Sequence, residues 1–245
     1  MKNQLLLLVA ATAMIVSPAS AQVTFDGNGS TSFNGAIGLG SLTLSDDGTT
    51  VSGSLTTSAG LTGNAFVLYL ETAPGGFSTT AGFSDDGDQL RTAISQYNGS
   101  NRSILDFSPG FAPNYAIALQ PGSGINYGGL WQLANGGANS LNAITSIGLT
   151  PTGSDAQGTY TFSFNLSSIG LTPDAGQSFE LFGQQVSTTG FSSAEAIGGT
   201  LTGSLGYGGT QTETSFSTYL TVPEPSTMVL GAVGMGLLLL LRRRR

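Results

Sequence analysis

The chain is 245 residues long, with 9% charged residues, 39% hydrophobic residues and 37 glycines, too apolar for charge-driven disorder and too rich in turn formers for a helical protein. Setting the terminal Lys2, Glu224, Arg242, Arg243, Arg244 and Arg245 aside leaves thirteen carboxylates against Arg91 and Arg102, a net charge of minus eleven that disfavours nucleic acid and anionic lipid as partners. Cysteine and histidine are absent, so disulfides, Ser-His-Asp triads, cysteine nucleophiles and His- or Cys-ligated zinc are excluded.

The first element is an export signal. Lys2 gives a positive start, residues 5–16 an apolar run broken only by Thr12, and Ala19-Ser20-Ala21 the small residues that signal peptidase accepts. The run is short for a membrane span, and Pro18 ends it, so residues 1–21 are expected to be cleaved and the mature chain to begin at Gln22.

Residues 22–221 are expected to form one all-β domain, a β-sandwich or jelly roll. Alternation marks strands at 49–55, 65–71, 115–119, 159–166, 178–186 and 214–220. The segment 159–166 is the cleanest: Tyr160, Phe162, Phe164 and Leu166 fall on one face, with Thr, Ser and Asn on the other, so one side should be core and the other wet. Asp46-Asp47-Gly48, Pro74-Gly75-Gly76, Asp86-Gly87, Pro121-Gly122 and Asn135-Gly136-Gly137 read as the turns between strands. The hexapeptide Ser-Ile-Gly-Leu-Thr-Pro occurs at 146–151 and again at 168–173; two copies do not make a solenoid, and they read as similar strand ends.

Candidate site residues in the body are few. Asp85, Asp86 and Asp88 surround Gly87, an arrangement that serves either as an acidic surface turn or as a weak calcium loop outside the cell, although its spacing is not that of an EF-hand. Tyr127 and Trp131 are either a platform for a sugar ring or core aromatics. Glu71, Glu180 and Glu195 are the acids a glycosidase would need, but nothing in the sequence pairs them, and solvent-facing strand carboxylates are the expectation. No cofactor and no catalysis are expected. Asn-x-Ser triplets at Asn28, Asn98, Asn101 and Asn165 mark polar loops.

The last element, residues 222–245, has three parts in fixed order: Val222-Pro223-Glu224-Pro225-Ser226, an apolar stretch at 228–241, and Arg242, Arg243, Arg244 and Arg245. The prolines hold the chain extended, as an enzyme cleft requires. The apolar stretch would rise about 21 Å as a helix, a short membrane stop with its arginines on the cytoplasmic side. A permanent anchor has the same hydropathy. The three-part order, however, resembles the PEP-CTERM sorting signal. The resemblance implies that the chain is the substrate of an exosortase, an integral-membrane cysteine transpeptidase-like enzyme of Gram-negative bacteria that make exopolysaccharide. Pro223, Glu224 and Pro225 are then the sorting motif, the inner membrane a transient partner through 228–241, and the destination the cell surface, outer envelope or extracellular matrix.

The body also resembles a recurring module of PEP-CTERM proteins through residues 66–72 with Pro74-Gly75-Gly76-Phe77, residues 110–119 and residues 192–199, with Glu71 where that module has Asp. It resembles, more distantly, sugar-binding β-sandwich modules of surface glycoproteins. Two roles follow: a structural or adhesive matrix component, or a module that binds exopolysaccharide.

Overall fold

A computed structural model describes residues 22–61, 63–120, 126–133, 141–154 and 157–222. Along them run β1 (Gln22–Asp26), β2 (Ser41–Asp46), β3 (Thr50–Thr56), β4 (Asn64–Glu71), a helix α1 (Gln89–Ser95), β5 (Ile104–Asp106), β6 (Tyr115–Gln120) and β7 (Tyr127–Leu133). Then come β8 (Leu141–Gly148), β9 (Thr150–Ser154), β10 (Gln157–Asn165), a 3₁₀ turn (Leu166–Ile169), β11 (Ser178–Ser187) and β12 (Ser192–Ile197). The last elements are β13 (Thr200–Gly203), β14 (Thr210–Ser215) and β15 (Ser217–Leu220). The all-β class expected from the sequence is what the structure shows.

The strands form three sheets. Five pair antiparallel in the order β1-β2-β3-β10-β9. Seven form a larger sheet in the order β12-β11-β4-β6-β7-β8, where β15 shares with β12 the edge of β11. A small third sheet runs β13-β14-β5, with β5 parallel to β14.

The first two sheets face each other across one core. Alternation in β10 sends Tyr160, Phe162 and Phe164 inward, where they meet Leu42, Leu44, Val51 and Leu55 of the same sheet and Phe66, Leu68, Ile117 and Leu119 of the larger one. Gly53 lies directly opposite Phe162 and leaves room for its ring; a Cβ there would sit 2.2 Å from it. The outward side of β10 is wet, as its pattern requires.

At β4 the larger sheet is buried on both sides, so that strand reads as a continuous apolar run instead of an alternating one. Its second face carries Ala65, Val67, Tyr69, Ala116, Ala118, Trp131 and Phe182, covered by Leu90, Ala93 and Ile94 of α1 and by Phe83, Leu105, Phe107 and Phe111. Tyr69 ties the layers together by donating its hydroxyl proton to the Ile94 carbonyl at 2.8 Å.

Three expectations are corrected. Asp86-Gly87 leads into α1, not between two strands, because Asp88 caps that helix through the N–H groups of Leu90 and Arg91. The strand expected at 214–220 is two strands in different sheets, broken at Phe216, whose ring stacks on Phe111 at 5.2 Å. The chain between β12 and β13 changes sheet at the same level, at Gly198-Gly199, where a Cβ on Gly199 would fall 1.8 Å from the Ser215 carbonyl oxygen. The repeated hexapeptide joins the end of β8 to the start of β9 in its first copy, and in its second runs from the last two residues of the 3₁₀ turn into the irregular segment after it. The turns expected at Pro121-Gly122 and Asn135-Gly136-Gly137 lie outside the described residues.

Candidate functional site

The acidic corner before α1 is built around an arginine. Asp85 is buried; its Oδ2 accepts from Arg91 Nη1 at 2.6 Å and from the Leu141 N–H at 3.3 Å, and its Oδ1 accepts from the Gly87 N–H at 3.1 Å. Asp88 Oδ1 accepts the two capping N–H groups at 2.9 Å each, and its Oδ2 lies 3.1 Å from Arg91 Nε. Asp86 is exposed and lies against Gly99. The three carboxylates therefore do not converge, and Arg91 is the cation that two of them hold. Among the described residues no three Asp, Glu, His or Cys side chains gather as a metal-ligand set.

Beside this corner lies a groove of about 390 Å³ lined by Leu90, Arg91, Tyr127, Trp131 and Ile144. It does bring Tyr127 and Trp131 together, but unequally. Trp131 is 6% exposed, belongs to the outer core and lies over Gly129, where a Cβ would meet its ring at 2.5 Å. Tyr127 is 37% exposed and donates to Gln120 Oε1 at 2.6 Å. Partial burial, then the charge of Asp88, raises its phenol above the ordinary value.

The three glutamates separate into a pair and a staple. Glu71 and Glu180 are directly opposite one another on β4 and β11, and Glu71 Oε2 accepts from the Ala112 N–H. Partial burial and then the Glu71 charge hold the Glu180 carboxyl above the usual range. Glu195 overturns the expectation of a solvent-facing carboxylate. It is fully buried, with Oε1 accepting from the N–H groups of Phe33 and Gly35 at 2.6 and 2.8 Å and Oε2 from Ile37 and Gly38 at 2.9 and 3.1 Å.

The sequence marks Asp46 only as a turn former. Asp46 is buried, and its carboxylate accepts from the Gly48 N–H at 2.9 Å, the Tyr219 hydroxyl at 2.7 Å and the Val222 N–H at 3.0 Å. Thr221 is fastened as well, its N–H and hydroxyl both donating to the Gln177 carbonyl. The folded body thus reaches Val222, the residue before Pro223. Ala19, Ala21, Pro223, Glu224, Pro225, Arg242, Arg243, Arg244 and Arg245 lie outside the described residues.

Residues 221–245 match the model of the PEP-CTERM protein-sorting motif. The tail is a PEP-CTERM sorting motif. A chain that carries it is an exosortase substrate, and proteins with this motif are exported and sorted to the cell surface by exosortase. Comparison with curated proteins finds no match for the chain. The PEP-CTERM match begins within the last hydrogen-bonded residues of the body, so no linker separates fold from motif.

Proposed function

We propose that this exosortase substrate is a non-catalytic structural or adhesive component of the cell surface or extracellular matrix. The observation that carries the reading is the union of a PEP-CTERM motif with a β body in which Asp46, Asp85, Glu195 and Glu71 accept hydrogen bonds from the fold itself. The chain has no histidine or cysteine to supply other nucleophiles or bases. Export uses the signal peptide, and the motif then hands the body to exosortase.

The test is Pro223→Ala with Pro225→Ala, followed by immunoblots of fractionated cells with and without the exosortase. The wild type should appear shortened in the surface or matrix fraction, and the variant should stay full length in the inner membrane. Identical full-length fractionation of both would make the tail a plain anchor and end the proposal.

A further inference from the structure

The outward face of the five-stranded sheet is almost free of charge in a body that carries minus eleven. Strand register arranges its side chains in rows that cross the sheet: Asp26, Ser41, Thr56, Thr159 and Thr152; then Thr24, Thr43, Ser54, Thr161 and Thr150; then Gln22, Ser45, Ser52 and Ser163; and last Thr50 with Asn165. Every one of these positions is exposed or half-buried. Thirteen of the sixteen are hydroxyls, and the single charge, Asp26, is at an edge strand. A complete row spans about 19 Å at the usual strand spacing.

Part of the face is already satisfied and part is open. Thr24 pairs with Thr43 at 2.9 Å, Thr56 with Thr159 at 3.0 Å and Thr50 with Asn165 at 3.2 Å. Among the described residues, the hydroxyls of Ser45, Ser52, Ser54 and Ser163 make no hydrogen bond within the protein, and all four line a shallow depression of about 450 Å³ in the middle of the face.

We infer that this face is a binding surface for an uncharged polysaccharide chain. The inference rests on the surface or matrix role proposed above and names its partner class. A polyanion would be repelled by the body, and a polycation would find its counter-charges elsewhere than on this face. An apolar partner would leave the rows of hydroxyls desolvated without acceptors. A glycan supplies both donors and acceptors at every ring. Ser and Thr side chains are short and lose little rotamer freedom on contact. The rows contain no aromatic ring, so each sugar contributes little and binding accumulates along the chain.

The test is affinity electrophoresis of the exported protein in gels containing a neutral glucan, a neutral galactomannan or the polyanion alginate. The triple variant Thr43→Val, Ser54→Ala, Thr161→Val keeps strand propensity and removes three central hydroxyls. The variant Thr202→Val, Thr212→Val, on exposed positions of the small sheet, is the control. At least one neutral gel should retard the wild type and the control alike, the triple variant should lose at least tenfold in affinity, and alginate should retard none. Retardation unchanged in the triple variant, retardation by alginate alone, or none in any gel would overturn the inference. So would self-association of the wild type that the triple variant abolishes, since the occupant would then be a second copy. Cell fractionation reads the surface role separately, so a correctly sorted protein that no glycan retards sinks this inference and leaves that role standing.

Discussion

Glu180 and Glu71 show what a pair of acids does when a register forces them together. The native fold holds the Glu180 carboxyl above its ordinary pKa, so the native state keeps its proton to higher pH than the unfolded chain does. The favourable contribution is complete below the unfolded value near pH ~4.3 and is lost as pH rises through the native value. Glu180→Gln stays neutral throughout. Its melting temperature should exceed wild type by up to about 2 °C at pH 7, a modest gain because the site is only partly buried, and the gap should close below pH ~4. Melting curves collected from pH 3 to 8 check this; a gap that does not change with pH would mean that the two carboxyls share no proton. The sequence names both residues. Their pairing comes from the alignment of β11 on β4, strands far apart in the chain, and so could not be read from local pattern.

At the scale of elements, Glu195 fastens the segment between β1 and β2 to β12 with four backbone N–H groups. Glu195→Gln turns an amide toward donors and should cost about 2–4 kcal/mol in denaturant unfolding, with new proteolytic cuts near residues 33–38. Unchanged stability and an unchanged cleavage pattern would show that the staple is dispensable. Strand legibility followed inward side chains. β10, β4 and β11 carry enough aromatic and branched residues to be read directly, and β2, with Leu42 and Leu44 as its only inward apolar residues, was not. β7 is interrupted by Gly128 and Gly129, β9 carries Pro151, and β12 is mostly Ser, Ala and Glu, so their pairing comes from neighbours more than from propensity. Helix α1 is seven residues long and was hidden behind its own acidic cap. The repeated hexapeptide is the clearest limit on local reading. Both copies bury Ile and Leu in the inner core, as Ile147 with Leu149 and Ile169 with Leu171, yet one does so between two strands and the other at the end of a 3₁₀ turn.

Across the whole molecule, Asp46 joins the two facing sheets and the root of the sorting motif. It ends β2 in one sheet, accepts from Tyr219 of β15 in the other, and holds the Val222 N–H beside the PEP-CTERM segment. Burial, with the Asp46 carboxylate, pushes the Tyr219 phenol above its ordinary value, so this link stays hydrogen-bonded through the neutral range. Asp46→Ala should take the carboxylate acceptor from the Tyr219 hydroxyl and from the Gly48 and Val222 N–H groups and cost about 2–4 kcal/mol. Asp46→Asn is the informative partner. Its Oδ1 can still accept from Gly48 and Val222, its amide can donate to the Tyr219 oxygen once the phenol proton turns away, and the cost should stay near ~1 kcal/mol. Hydrogen exchange resolves the local consequence: the Val222 amide should lose protection in Asp46→Ala and keep it in Asp46→Asn, while amides of β10 stay protected in both. If Val222 exchanges at the same rate in all three proteins, Asp46 does not hold the junction, and the sorting segment hangs from the body without a fixed root.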